Sequence, residues 1–207
     1  MSLFITFEGG EGCGKSYQSK KLYDWLSNCG YNVVLTFEPG GTVLGNELRH
    51  LLKKKREDYI DPLVELMLFN ASRAQLVAEV IRPALKEDKI VICDRFSDST
   101  TVYQGYARGL DIPTVLHINS IAIQGIKPDL TILLDMPAGG GIKRKSNGPD
   151  DRFEEEQQSF HQRVRDGFLQ LASLEKERWM VIDGTRSRSE ISMSIRKQVE
   201  EVISRRL

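Results

Sequence analysis

Eight residues near the N-terminus, Gly9-Gly10-Glu11-Gly12-Cys13-Gly14-Lys15-Ser16, place a glycine four variable positions ahead of Gly-Lys-Ser. Before them, Leu3-Phe4-Ile5-Thr6-Phe7 reads as a buried strand; after them, Leu22, Trp25 and Leu26 recur at helical spacing within Tyr17 to Asn28. A strand, this loop and a helix in succession make a phosphate-binding loop rather than a glycine-rich turn without a ligand. Gly9, Gly12 and Gly14 let the backbone wrap closely around phosphate oxygens. Successive N–H groups and the helix N-terminus then supply fixed partial positive charge. Lys15 can reach the β- and γ-phosphates of a nucleoside triphosphate, and the Ser16 hydroxyl can ligand Mg²⁺.

Strand-like runs recur at Leu3–Phe7, Asn32–Phe37, Lys89–Cys93, Leu130–Leu134 and Trp179–Ile182. Helical patterns separate them at Lys15–Asn28, Leu44–Lys55, Asp61–Lys86, Ser97–Tyr106, Ile112–Gly125, Glu154–Lys176 and Ser189–Arg205. Near-continuous apolar strands alternating with helices predict a five-stranded parallel sheet covered on both faces, a three-layer α/β/α fold of the P-loop NTPase kind. At 207 residues, with no linker or repeat, residues 1–207 read as one domain. Gly30 stands where a helix C-terminal cap belongs. The stretch from Pro137 to Arg152 breaks the rhythm with Gly139-Gly140-Gly141, Lys143-Arg144-Lys145 and Asn147-Gly148-Pro149, and reads as a mobile lid over the sheet. Asp151, with Glu154 three residues on, suits the start of the next helix.

Lysine plus arginine equal aspartate plus glutamate at 29 each, so no global field recruits nucleic acid or an anionic membrane. Any anion chemistry must come from local clusters; the densest, Lys53-Lys54-Lys55-Arg56, reads as a solvated helix end. Cys13, Cys29 and Cys93 lack C-x-x-C spacing and are odd in number, as reduced thiols of a cytoplasmic protein are. The three histidines are scattered, which argues against a histidine metal site, and neither a signal peptide nor a membrane span is predicted.

Ligands of open parallel sheets bind beyond the carboxyl ends of the strands. Glu38-Pro39-Gly40-Gly41-Thr42, Asp94-Arg95 and Asp135 all follow strands, and Glu11 lies in the loop itself. Acids and an arginine converging beside a triphosphate site point to Mg²⁺-dependent transfer onto another anion. On the helix over 61–86, Phe69 and Arg73 are four apart and share a face. An aromatic plane beside a guanidinium suits a heterocycle with a carbonyl, although a core phenylalanine with a surface arginine is at least as common a reading of that pair alone.

Taken in order, Phe7 to Ser16, Glu38-Pro39-Gly40-Gly41-Thr42, Phe69-x-x-x-Arg73-Ala74-Gln75, Asp94-Arg95-Phe96-x-x-Ser99 with Tyr103-Gln104-Gly105, and Pro128-Asp129-Leu130-Thr131 with Leu134-Asp135 closely resemble bacterial thymidylate kinases, from residue 3 to about 183. The resemblance implies transfer of the γ-phosphoryl of ATP to dTMP, with Mg²⁺, by a homodimer. It also implies that Phe69 stacks on thymine, Arg73 bonds its O4 carbonyl and Arg95 clamps the acceptor phosphate, with Ser99 beside it. Asp94 would sit near the metal, Glu11 and Glu38 would be the sugar- and metal-side acids, and Thr100 and Gln104 would face the pocket. Tyr103 would crowd the 2′ position and reject ribonucleotides.

The variable part of the phosphate loop holds Gly10, Glu11 and Cys13, none of them basic. By resemblance to enterobacterial members, a lid cation then supplies the catalytic charge. Arg152 matches best, Arg144 and Lys145 stand behind it, and Arg163 and Arg165 are possible second contacts. Gly139-Gly140-Gly141 departs from the helical start common in the family. Two other readings fit the loop alone: a kinase acting on AMP or another nucleoside monophosphate, and a regulatory ATPase without a small acceptor. No N-K-x-D base-recognition element of a nucleotide switch is present.

Overall fold

The computed structural model describes residues 1–55, 59–141 and 152–206. Its centre is a five-stranded, wholly parallel sheet of β1 (Leu3–Glu8), β2 (Val33–Phe37), β3 (Ile90–Asp94), β4 (Leu130–Asp135) and β5 (Trp179–Asp183). Their order is β2-β3-β1-β4-β5. All five strands match the apolar runs, because a strand buried on both faces carries apolar residues almost without interruption. Helices cover both faces. Leu3, Ile5 and Phe7 pack with Leu22 and Leu26 of α1 (Lys15–Asn28) and Ile195 and Val199 of α8 (Arg188–Ser204). On the opposite face Phe4 packs with Leu76, Val77, Ile81 and Phe96. A third cluster joins Tyr103 and Leu133 to Phe160, Val164 and Phe168 of α7 (Gln158–Leu174).

Helix ends follow local chemistry. After α1, Gly30 adopts φ +86°; its N–H reaches the Ser27 carbonyl and the Tyr31 N–H reaches Leu26, which closes the helix as expected. Thr42 caps α2 (Val43–Lys53) through Gly45 N–H, and Asp61 caps α3 (Pro62–Leu76) through Leu63 N–H.

Four boundaries differ from expectation. The helix predicted over 61–86 widens into a π-helical turn at Val77–Ile81 before α4 (Arg82–Lys86). Pro83 lacks the N–H that regular helix would direct back to Glu79, and a wider turn absorbs that gap. The helix predicted over 97–106 is one short α-turn, α5 (Ser97–Thr100), followed by a π-helical stretch at Thr101–Ala107. The helix over 112–125 is α6 (Ile112–Ile123); Gln124 and Gly125, both at positive φ, end it. Finally, α7 starts at Gln158 rather than Glu154, which lies in a 3₁₀ turn over Arg152–Glu155. Asp151, the cap residue in that reading, lies outside the described residues, as do Lys143, Arg144 and Lys145. The capping box that does form is Ser187 with Glu190, at the start of α8.

At the start of the expected lid, the last glycine of the triple, Gly141, has a steric reason. A Cβ on Gly12 would lie 2.1 Å from the Gly141 carbonyl oxygen, and one on Gly141 would lie 2.0 Å from that of Glu11. The two backbones touch, and a side chain on either would separate them. No helix among the described residues is long and apolar enough to cross a membrane.

Candidate active site

β1 and β3 are neighbours, with Phe7 opposite Asp94, so the loop leaving β1 meets the Asp94-Arg95 pair leaving β3. The ladder continues past the strands: Arg95 N–H donates to Phe7 O and Glu38 N–H donates to Asp94 O, each at 2.9 Å. Three strand ends thus stand level, and Glu8, Glu38, Asp94 and Arg95 lie along one rim beyond their carboxyl ends.

A cleft of about 620 Å³ opens at this rim. Glu11 to Ser16, Asp94 and Arg95 line it, together with Arg49, Lys53, Gly184, Arg186 and Arg188. Lys15 folds back onto its own loop, donating to the Gly9 and Gly10 carbonyls at 3.1 and 2.7 Å. Ser16 Oγ donates to Asp94 Oδ2 at 2.5 Å. A hydroxyl and one carboxylate, both hard oxygen donors at the mouth of a phosphate loop, are the donor set Mg²⁺ takes when phosphates complete its shell. Gly9 and Gly10 line instead a smaller cavity on the other side of the loop.

Beside the cleft lies a pocket lined by all nine residues expected on the acceptor side, Glu11, Glu38, Phe69, Arg73, Arg95, Ser99, Thr100, Tyr103 and Gln104, joined by Pro39, Lys53 and Phe153. At about 40 Å³ it has room for little more than water. Phe153 forms one wall, its ring centroid 6.0 Å from those of Phe69 and Tyr103.

Arg95 sits at φ +71°, which few L residues adopt, and this turns its guanidinium into the site. One terminal nitrogen donates to Gly9 O and Ser99 Oγ at 3.0 Å; the other reaches Glu11 at 2.7 Å and the Tyr103 hydroxyl at 3.1 Å. Burial pushes the Glu11 carboxyl up, but Arg95, Lys15 and Lys53 outweigh it and hold it down at about 2. Tyr103 also donates to Glu11 at 3.0 Å. Burial raises its phenol well above the ordinary range, so it stays a neutral donor.

Arg73 is almost wholly buried, and all five of its N–H groups have acceptors within the chain. Nε and Nη2 grip Glu38 at 2.9 and 2.6 Å; Asn70, Asn119, Thr100 and the Phe96 carbonyl take the rest. Even so, burial keeps the Glu38 carboxyl raised. Gln104 donates to the buried Glu65 at 2.7 Å.

Some expectations change. Asp135 stands at the rim, lining the cavity that holds Gly9 and Gly10, but Arg165 grips it bidentately at 2.7 and 2.8 Å. Arg163 donates to the Ala107 carbonyl, while Arg165, paired with Asp135, lines the cavity that holds Gly9 and Gly10. Arg152 lines neither the cleft nor the pocket; its guanidinium donates to Glu65 and to the Leu52 carbonyl. Lys53, read as part of a solvated helix end, lines both.

Sequence reasoning also missed Glu8, Arg49, Gly184, Arg186 and Arg188. Glu8 is buried at the end of β1 and accepts from Phe96 N–H, Ser99 N–H and Ser99 Oγ at 2.9, 3.3 and 2.5 Å, so it fixes the turn that carries Arg95. Burial and the nearby Asp98 carboxylate push Glu8 up to about 7, against the pull of Arg95. An acid as the last residue of an apolar strand was its only available signal. Arg49 donates to the Pro39 carbonyl at 2.8 Å, one turn before Lys53 on α2, and nothing in its spacing distinguishes it from a solvated arginine.

A parallel sheet with a phosphate-binding loop after its central strand defines the P-loop class of nucleotide-binding α/β proteins. Within that class the match is specific: the family model described as thymidylate kinase covers residues 7–195, and the chain belongs to that family. A thymidylate kinase of Dehalococcoides mccartyi is 54% identical over 203 residues, covering 98% of both chains. One from Geotalea daltonii is 48% identical over 192 residues, covering 89% of this chain and 90% of the relative. The crystal structure of thymidylate kinase from Ehrlichia chaffeensis superposes with a TM-score of 0.77 at 39% identity, covering 96% of this chain and 98% of the other.

Proposed function

We propose that this protein transfers the γ-phosphoryl group of ATP to dTMP, yielding dTDP and ADP for dTTP synthesis. The observation carrying this reading is that the phosphate-loop cleft and the acceptor pocket share Glu11, Glu38, Lys53 and Arg95, so two phosphate-bearing ligands can meet there. An oxygen of the dTMP phosphate attacks the γ-phosphorus while the bond to the β-bridging oxygen breaks, and that electron pair leaves on ADP. The acceptor oxygen is already anionic at neutral pH, so the step needs no general base. Alignment and neutralisation of charge lower the barrier.

Lys15, released from its loop carbonyls, would hold the β- and γ-phosphates, with the N–H groups of residues 9–16 around them. Ser16 and Asp94 would hold Mg²⁺, which when bound neutralises charge on the phosphate oxygens. Arg95 would hold the acceptor phosphate, with Ser99 steadying it; Phe69 would stack on the base. Arg73 would offer the O4 carbonyl a share of an N–H, and Thr100 and Gln104 would border the base. Tyr103, fixed between Glu11 and Arg95, would leave no room for a 2′-hydroxyl. For the acceptor to enter, Phe153 must yield. For Arg152 to act at the phosphate, it must first leave Glu65 and Leu52, so closure of the lid over 137–152 would have to rearrange both.

We propose a cytoplasmic homodimer. Exposed Leu51, Leu63, Met67 and Leu116, on α3 and the two helices α2 and α6 that pack against it, support the dimer. A coupled assay with ATP and dTMP, dUMP, dCMP or AMP tests the reaction. Fastest turnover with dTMP is expected. Turnover fastest with AMP, or ATP hydrolysis that no monophosphate accelerates, would replace this reading by one of its two rivals.

A further inference from the structure

Phosphoryl transfer places negative charge on the equatorial oxygens of the group in flight, and a cation must stand where donor and acceptor meet. The phosphate loop offers only Lys15, and Arg95, bonded to Gly9, Ser99, Glu11 and Tyr103, is given to the acceptor phosphate. Arg152 is held away from both cavities by Glu65 and the Leu52 carbonyl. What stands at the junction is the last residue of α2. Among the described residues, Lys53 and Arg95 are the two basic residues lining both the cleft and the acceptor pocket.

We propose that Lys53 is a catalytic cation of this enzyme, contacting the phosphoryl group as it crosses from donor to acceptor. This rests on the phosphoryl-transfer reading above. Two observations support it independently of the cavity lining. Lys53 acts electrostatically on Glu11, which lies inside the phosphate loop and is bonded to Arg95, so its charge is felt where the reaction would occur. Its backbone is also fixed: Leu52 is fully buried, and Arg152 Nε donates to the Leu52 carbonyl at 2.5 Å. That bond satisfies a carbonyl that the helix end leaves without an N–H. Arg152 is then a positioning residue, because the 3₁₀ turn over Arg152–Glu155 holds the end of α2 that carries Lys53. A loop with no basic residue in its variable part would thus be complemented from α2.

The test compares Lys53→Met, Lys53→Arg and Lys54→Met with the parent, Lys54 being the exposed neighbour that lines neither cavity. Each is assayed for kcat and KM with whichever monophosphate the parent uses best, for ATP Kd, and for Tm. Lys53→Met should lower kcat about ten-fold or more, with ATP Kd within about three-fold of the parent. Lys53→Arg should recover most of that loss, and Lys54→Met should match the parent. A kcat for Lys53→Met within about two-fold of the parent would overturn the assignment. So would a Tm loss that Lys53→Arg shares along with the activity loss, since helix packing would then explain both. If the parent prefers another acceptor, the dTMP reading fails while the Lys53 comparison is still decided on that acceptor.

Discussion

Arg95 and Glu11, 84 positions apart in sequence, form a 2.7 Å ion pair in which the end of β3 holds the phosphate loop. The Tyr103 hydroxyl bonds to both partners. One guanidinium therefore orders the donor loop, the acceptor pocket and the tyrosine between them.

Arg95→Ala should consequently damage both acceptor binding and the transfer step. Removing a donor aimed at developing charge lowers the rate by roughly 10²–10³, and kcat/KM for dTMP should fall by that order. ATP should still bind, because Lys15 and the loop N–H groups remain. A steady-state assay with an ATP titration checks both, and a near-parental kcat/KM would remove Arg95 from the reaction.

The Arg73–Glu38 pair is buried at 2.6 Å, and truncating one partner of such a pair costs about 3–5 kcal/mol. Arg73→Ala should therefore lower Tm by many degrees. It should also narrow the preference for dTMP over dCMP, since cytosine carries an amino group where thymine has the O4 carbonyl. Thermal melts and a two-substrate comparison test the two effects separately. An unchanged dTMP/dCMP ratio would mean that Arg73 is structural only.

Glu8 gives stability a pH dependence of definite sign. Its carboxyl is raised from 4.5 to about 7 by burial and Asp98, so between those values the folded state holds the proton that the unfolded chain has lost. Stability from this group is intact below about 4.5 and falls as pH rises to about 7, by on the order of 3 kcal/mol. Glu8→Gln keeps an acceptor for Phe96 N–H and cannot ionise. The variant should gain on the parent in Tm as pH rises from 5 to 8. Parallel Tm curves would show that Glu8 is not raised. Glu11, held at about 2, acts in another window: its contribution is present above 4.5 and is lost as pH falls toward 2.

Met67, 54% exposed, and Leu63, one turn earlier on α3, belong to the apolar face assigned to the dimer. Met67→Glu would bury a charge there, and light scattering should report a monomer where the parent is a dimer. A dimer unaffected by that change would move the interface elsewhere.

Much of this was legible in the order of residues along the chain. The five strands and the phosphate loop are local matters, because continuous burial, helical spacing and glycine punctuation each act over a few residues. All nine expected acceptor residues meet in one pocket, since strand ends in a parallel sheet converge by topology. Local pattern was silent on pairing between distant side chains. Lys53 sits in a run of four basic residues, and spacing cannot say which of them turns into a cleft. Asp135 follows a strand as Asp94 does, but Arg165 on α7 takes it up.

Local pattern along the chain settles the layers, the phosphate loop and the chemical kinds of residue around it. Which charge meets which is settled by the assembled fold. It paired Arg73 with Glu38 and Arg95 with Glu11, turned Arg152 toward Leu52 and Glu65, and brought Lys53 to the junction. The physical reason is range: burial and backbone preference are settled within a few residues, whereas Coulomb and hydrogen-bond partners are chosen by proximity in space, which exists only once the sheet has assembled.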